Sequence, residues 1–109
     1  MREWTFITNH GLVLAYLYYY PGSTAREMAA ALHVTEWTVH KIISELEKEG
    51  YVRRQKVGRS NIYHVNSFLP LRHEIVRHST VADLLKCLKI LPKQGMTEKG
   101  SPSTMQPDF

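Results

Sequence analysis

The chain is poor in the residues that staple a fold, enter lipid or perform catalysis. A single cysteine, Cys87, in 109 residues excludes an internal disulfide and a cysteine-based zinc site, and it fits a reducing cytoplasm. No apolar run reaches the roughly 18 residues that a membrane span needs. The densest, Leu12 to Tyr20, is nine residues long and four of them are tyrosine. The opening Met1-Arg2-Glu3-Trp4 has no basic stretch followed by a long apolar segment, so no secretory leader is expected. Paired carboxylates, a nucleophile elbow, a glycine-rich phosphate loop and a metal triad are all missing, and no enzyme is expected. His64, His73 and His78 are not spaced to share a helix face. No cysteine or carboxylate set completes four ligands around them, so neither metal nor cofactor is expected.

What the chain does have is charge in one place. Residues 51–65 carry Arg53, Arg54, Lys56 and Arg59 and no acid, which equals the net charge of +4 for the whole sequence. The other residues therefore sum to zero. A cation cluster on a neutral scaffold points to a local polyanion contact, or to a hairpin kept soluble by its charges.

The elements follow from periodicity and caps. Asn9 is placed to cap a helix through Leu12–Tyr20, which Pro21-Gly22 stops. A helix apolar on nearly every side needs cover beyond its own domain, and a second subunit is the simplest cover. Thr24 and Glu27 form a capping-box spacing, and Ala25, Met28, Ala29 and Leu32 make a narrow stripe on a short second helix. His33-Val34 leads to Thr35, the N-cap of a third helix from about Glu36 to Glu49, with Gly50 at C′. Two helices joined by a three- to four-residue turn are the layout of a helix-turn-helix. At 100° per residue, Ile42, Ile43 and Leu46 lie within about 60° of Val39, and the four form the buried face. Trp37, His40, Lys41, Ser44 and Lys48 face outward together. The helix itself carries −2, from Glu36, Glu45, Glu47 and Glu49 against Lys41 and Lys48.

Tyr51–Val57 and Ile62–Val65 read as two strands around Gly58-Arg59-Ser60-Asn61. Arg59 is then the hairpin tip, suited to a minor groove, and Arg53, Arg54 and Lys56 would meet phosphates. Asn66–Ser79 reads as a linker. Thr80 and Asp83 form a second capping box, and Val81, Leu84, Leu85, Leu88 and Leu91 a helical stripe that Pro92 ends. This stripe and the N-terminal helix are expected to form a dimerisation surface through Leu12, Tyr16, Tyr19, Val81, Leu84, Leu85 and Leu88. Residues 92–109 are rich in Gly, Pro, Ser and Thr and are expected to be disordered. Tyr16, Tyr18, Tyr19 and Tyr20 fit either an effector pocket or, at such density, core and interface; the second reading is favoured and no effector is indicated.

With these parts in place the chain resembles the short, single-domain winged helix-turn-helix regulators of bacteria and archaea in the broad MarR/ArsR-like group. The motifs are Thr24-Ala25-Arg26-Glu27-Met28-Ala29, Val34-Thr35-Glu36-Trp37-Thr38-Val39, Leu46-Glu47-Lys48-Glu49-Gly50-Tyr51-Val52 and Val57-Gly58-Arg59-Ser60-Asn61-Ile62-Tyr63. Trp4 to His10 and Leu69 to His73 also resemble a subset of small regulators in the group, so the likeness spans about residues 4–90. It implies a homodimer on a roughly palindromic duplex site. The third helix would enter the major groove with Trp37, Thr38, Lys41 and Ser44 at base-reading positions, and Arg59 would sit at the wing tip. Trp37 departs from the Arg or other polar residue common there, and no cysteine-rich metal motif is present.

The expected fold is mainly α with a small β-hairpin (α+β): a winged helix-turn-helix domain over 1–91, with its reader at 23–65, a C-terminal helix at 80–91 and a tail at 92–109. The expected function is a cytoplasmic, dimeric, sequence-specific regulator that binds double-stranded DNA and no membrane. Its DNA-facing set is Thr24, Arg26, Thr35, Trp37, Thr38, His40, Lys41, Ser44, Arg53, Arg54, Lys56, Arg59 and Asn61. The alternative is a protein-interaction module on the same scaffold, favoured by the exposed Trp37 and the weakly charged third helix.

Overall fold

In the computed structural model, residues 5–90 are described. The expected tail lies outside them. The elements in order are α1 (Asn9–Tyr19), α2 (Ala25–Leu32), α3 (Glu36–Lys48), β1 (Val52–Val57), β2 (Ser60–Val65), a 3-10 turn (Glu74–Val76) and α4 (Val81–Cys87). Three helices, an antiparallel two-stranded hairpin and a short closing helix make a winged helix-turn-helix. Among the described residues no helix is long and apolar enough to cross a membrane.

The helix starts follow from side-chain caps. Thr24 accepts from the Glu27 amide while Glu27 reaches back to the Thr24 amide, and Thr80 with Asp83 repeats the arrangement. The N-cap of α1 is Thr8, not Asn9: the Thr8 hydroxyl accepts from the Gly11 amide, which leaves Asn9 as the first helical residue. Gly50 ends α3 at φ 84°. Its amide donates to the Glu47 carbonyl and the Tyr51 amide to the Leu46 carbonyl, the paired bonds of a Schellman stop.

α1 is the centre of the molecule. Its run Val13, Leu14, Ala15, Tyr16 and Leu17 is buried on every side. The cover comes from the chain itself: α2 and α3 pack on it, β2 packs on it, and Val81 and Leu85 of α4 join the same core. This corrects the expectation that α1 needs cover from a second subunit and that Val81 and Leu85 of α4 serve a dimer surface. Tyr16, Val81 and Leu85 are buried within one chain and leave no surface for a partner. Each of the two aliphatic side chains contributes about 1.5–3 kcal/mol by burial.

The segment expected as a linker is what seats α4. Leu71 N–H donates to the Ser79 carbonyl, Val81 N–H to Leu69 and Ala82 N–H to Ser67, with an isolated bridge between Pro70 and Thr80. The Tyr51 hydroxyl donates to the Pro70 carbonyl at 2.7 Å. α4 stops at Cys87, short of its expected end, because Leu88 turns extended. The terminal carbonyls find tertiary donors in place of a further turn: the Tyr19 hydroxyl lies 2.8 Å from the Leu85 oxygen and 3.0 Å from that of Leu88, and the Tyr20 hydroxyl reaches the Ile90 oxygen.

The hairpin is tighter than expected. Val57 pairs with Ser60, leaving Gly58-Arg59 as a two-residue loop. Gly58 has φ 62° and Arg59 does not share that region, the signature of a type II′ turn, whose twist matches the strands. The register Val52↔Val65, Arg54↔Tyr63 and Lys56↔Asn61 puts these pairs on one face. Val52 and Tyr63 anchor that face in the core, and the Tyr63 amide donates to the Pro21 carbonyl.

Candidate nucleic-acid interface

The turn between α2 and α3 is held by an unusual residue. His33 is the one non-glycine residue with positive φ among the described residues, at φ 62° and ψ 43°. Its left-handed conformation closes α2, and the Val34 amide returns to the Ala29 carbonyl. Thr35 then caps α3, accepting from the Thr38 amide at 3.0 Å and donating its own hydrogen to the Thr38 hydroxyl. Three threonines expected on the DNA-facing set thus have structural bonds already. Thr24 and Thr35 cap helices, and Thr38 accepts from Thr35 while keeping its hydroxyl hydrogen. Arg26 lies 3.5 Å from Glu36, both largely exposed.

α3 buries Val39, Ile42, Ile43 and Leu46 and exposes the opposite side. Trp37 is 69% exposed, and His40, Lys41, Ser44 and Lys48 are exposed with it. Lys41 is not free. Its ammonium donates to Glu45 at 3.1 Å, and the other Glu45 oxygen meets His10 Nε2 at 2.6 Å. The hydrogen bond from His10, and after it that from Lys41, holds the Glu45 carboxyl below its ordinary pKa.

The four wing cations divide into two kinds. Arg54 is bound: its Nε and Nη2 donate to the two oxygens of Glu47 at 3.1 and 2.8 Å, and its guanidinium lies 5.8 Å from the centroid of Tyr63. The Glu47 hydrogen bonds raise its pKa. Arg53, Lys56 and Arg59 are exposed and have no carboxylate partner among the described residues. Asn61 is half-buried beside Lys56 in the register. Arg54, expected to meet phosphate, is in the free protein paired with Glu47 instead. Sequence reasoning missed Glu47, although a signal existed: Arg54 stands two residues after the buried Val52, on the strand face that turns toward α3.

Of the residues expected at a dimer surface, Leu12, Leu84 and Leu88 are half-buried, and Tyr19 is 39% exposed beside a 46% exposed Tyr18. A cavity of about 590 Å³ opens between α1, the second half of α3 and α4, with Leu14, Leu46, Val81 and Leu84 in its wall and Glu45, Glu49 and Arg72 among its charged residues. None of Tyr16, Tyr18, Tyr19 and Tyr20 lines it. Among the described residues no three His, Cys, Asp or Glu side chains come together as a metal site. His64 is bonded to Gln55, and His73 accepts from the Ile75 amide.

Comparison with known proteins adds three findings. No curated protein matches the chain. Among solved structures, the crystal structure of MepR, a transcription regulator of the Staphylococcus aureus multidrug efflux pump MepA, is similar at 27% identity with a TM-score of 0.47. That match covers 54% of this chain and 46% of the other, so the chain spans less than half of that protein's length. The family model described as MarR family matches residues 6–60, just over half of the sequence and the span from the start of α1 through the hairpin turn. On that match the chain belongs to the MarR family.

Proposed function

We propose that the chain is a DNA-binding transcription regulator of the cytoplasm. In this reading a homodimer binds duplex DNA, with α3 in the major groove and the hairpin over the adjacent backbone and minor groove. The observation that carries it is the pairing of an exposed, capped α3 face with an acid-free hairpin whose Arg53, Lys56 and Arg59 are unpaired among the described residues. Phosphate contacts position such a protein and base contacts specify its site. Trp37 packs on a thymine methyl or a sugar, and His40, Lys41 and Ser44 supply polar contacts. Family membership supports the same reading. For the dimer, the half-buried Leu12, Leu84 and Leu88 with the exposed rings of Tyr18 and Tyr19 offer the apolar surface left after α1 and α4 are packed.

The test is selection from a random duplex pool at two salt concentrations, followed by sequencing. Enrichment of an inverted repeat with half-sites about one helical turn apart is expected, weakening as salt rises. Absence of binding to any duplex at low salt overturns the reading. A second reading, a protein-interaction module, is favoured by one observation: two of the cations near the reader, Lys41 and Arg54, are already bonded to glutamates of α3. A partner lost on Trp37→Ala, together with unchanged DNA behaviour after reversal of Arg53 and Arg59, would establish it.

A further inference from the structure

We propose that Glu47 is a positioning residue for DNA reading: it clasps Arg54 away from the DNA backbone and fixes the hairpin against the recognition helix. The inference rests on the DNA-binding reading above. The clasp spans two elements joined by a short turn. α3 ends at Lys48, Gly50 turns the chain, and β1 begins at Val52. Between helix and hairpin the backbone passes through a single Schellman turn, whose bonds hold the turn without setting the rotation of the strands beyond it. Val52 and Tyr63 anchor the hairpin in the core, and the Arg54–Glu47 pair adds a direct side-chain tie between it and α3.

Its geometry suits orientation better than loose charge neutralisation. Two parallel N–H···O bonds make a bidentate fork, which has directional preference where a lysine pair would have none. Arg54 also lies over Tyr63, a buried residue of the paired strand whose amide is bonded to Pro21 between α1 and α2. The side chains of the pair are 43% and 28% exposed, less than those of Arg26 with Glu36 or Arg72 with Glu49. The guanidinium thereby sits between a helix carboxylate and an anchored ring.

The pair also sets which charges are offered to DNA. With Arg54 satisfied internally, the hairpin presents Arg53, Lys56 and Arg59. Affinity for any duplex grows with each cation that neutralises a phosphate, whatever the sequence. Removing one cation from that count while stiffening the wing favours selected over random sequence. Glu47 lies on the helix that reads bases, so the same carboxylate links readout and backbone contact.

The experiment uses the full chain and two duplexes of equal length, one enriched by selection and one of random sequence, titrated across salt. Arg54→Gln is expected to leave the random-duplex salt slope unchanged, because Arg54 makes no phosphate contact. Glu47→Gln is expected to steepen that slope by about 0.9 per bound protomer as Arg54 becomes free. Both variants are expected to lower the ratio of selected to random affinity by about fivefold, the lower end of the loss for one mismatched base pair. Glu74→Gln, which removes an equal charge from the 3-10 turn, should change neither quantity. A variant that merely destabilises the fold lowers both affinities together and leaves the ratio intact, which counts against the proposal. An Arg54→Gln slope that falls by about 0.9 shows Arg54 on phosphate and overturns it outright. Should Glu47→Gln fail to fold, the Arg54→Gln slope and ratio decide alone. Wild-type protein that binds neither duplex overturns the DNA reading itself, an outcome distinct from the variant results.

Discussion

Trp37→Ala separates the fold from its proposed use. The ring is 69% exposed on α3, so folding depends on it little. A tryptophan side chain offers about 250 Å², and the buried third is worth at most roughly 2 kcal/mol at about 25 cal/mol/Å². Alanine's better helix propensity returns about 0.5 kcal/mol of that. The exposed part is roughly 170 Å², a ceiling of roughly 4 kcal/mol if wholly buried on DNA. A groove contact is one-sided, and half of the ceiling, about 2 kcal/mol, corresponds to about thirtyfold in Kd. The assay is fluorescence anisotropy with a selected duplex, alongside thermal melting of the free protein. The expected outcome is a Tm lowered by no more than about 10 °C, with the protein still folded at the assay temperature, and Kd weaker by about thirtyfold. A Kd within about twofold of wild type, far less than the 1.4 kcal/mol that a tenfold change represents, would remove Trp37 from the interface.

Three further outcomes follow from the same geometry. Arg53→Gln, Lys56→Gln and Arg59→Gln should each flatten the salt slope of DNA binding by about 0.9 per protomer, and an unchanged slope in all three would take the hairpin off the DNA. Gly50→Ala should cost about 1–2 kcal/mol because φ 84° strains any side chain, whereas His33→Gly should raise the melting temperature by relieving φ 62°; thermal melts that move both in the same direction refute the strain argument. Glu45 and Asp83 have pKa values lowered by hydrogen bonds, the first chiefly from His10 and the second from the Thr80 amide. A carboxylate whose folded pKa is depressed contributes stability that is present above its unfolded value, about 4, and lost as pH falls through the folded one. The urea midpoint should therefore hold from pH 7 to about 5 and drop below about 4, with a smaller drop in Glu45→Gln.

The parts that were legible in the sequence are those decided within a few residues. Thr24 with Glu27, Thr80 with Asp83 and Thr35 before α3 satisfy amides three residues away, so spacing alone locates them. Gly50 marks the end of α3 for the same local reason. The faces of α3 follow from its period, and Val39, Ile42, Ile43 and Leu46 are buried as expected. The cap of α1 shows the margin of such reasoning. Thr8 and Asn9 are both good caps, and only the helix's first bonded turn chooses between them.

What lay out of reach depended on distant partners. The His33 turn carries no glycine to announce it. The left-handed histidine lies in the short turn between α2 and α3, two helices that pack on each other. For α4, the stripe Val81–Leu85 shows that a face must be covered, but not by what. The folded-back segment from Ser67 to Thr80 supplies the answer. Arg54 looked like its neighbours Arg53 and Lys56 in a run of cations, yet the strand's alternation and Glu47 gave it a different role.

Taken alone, the sequence determined that a helix-turn-helix and a basic hairpin exist, where α2, α3 and α4 begin, and which side of α3 meets water, since caps, period and charge runs are short-range properties of the chain. Only the tertiary structure decided that α1 is covered by its own domain, that α4 closes the core, and that of four wing cations one pairs with α3 while three stay exposed with no carboxylate partner among the described residues. Those outcomes depend on which side chains come within hydrogen-bond or van der Waals reach across long separations, and the folded chain alone brings them together.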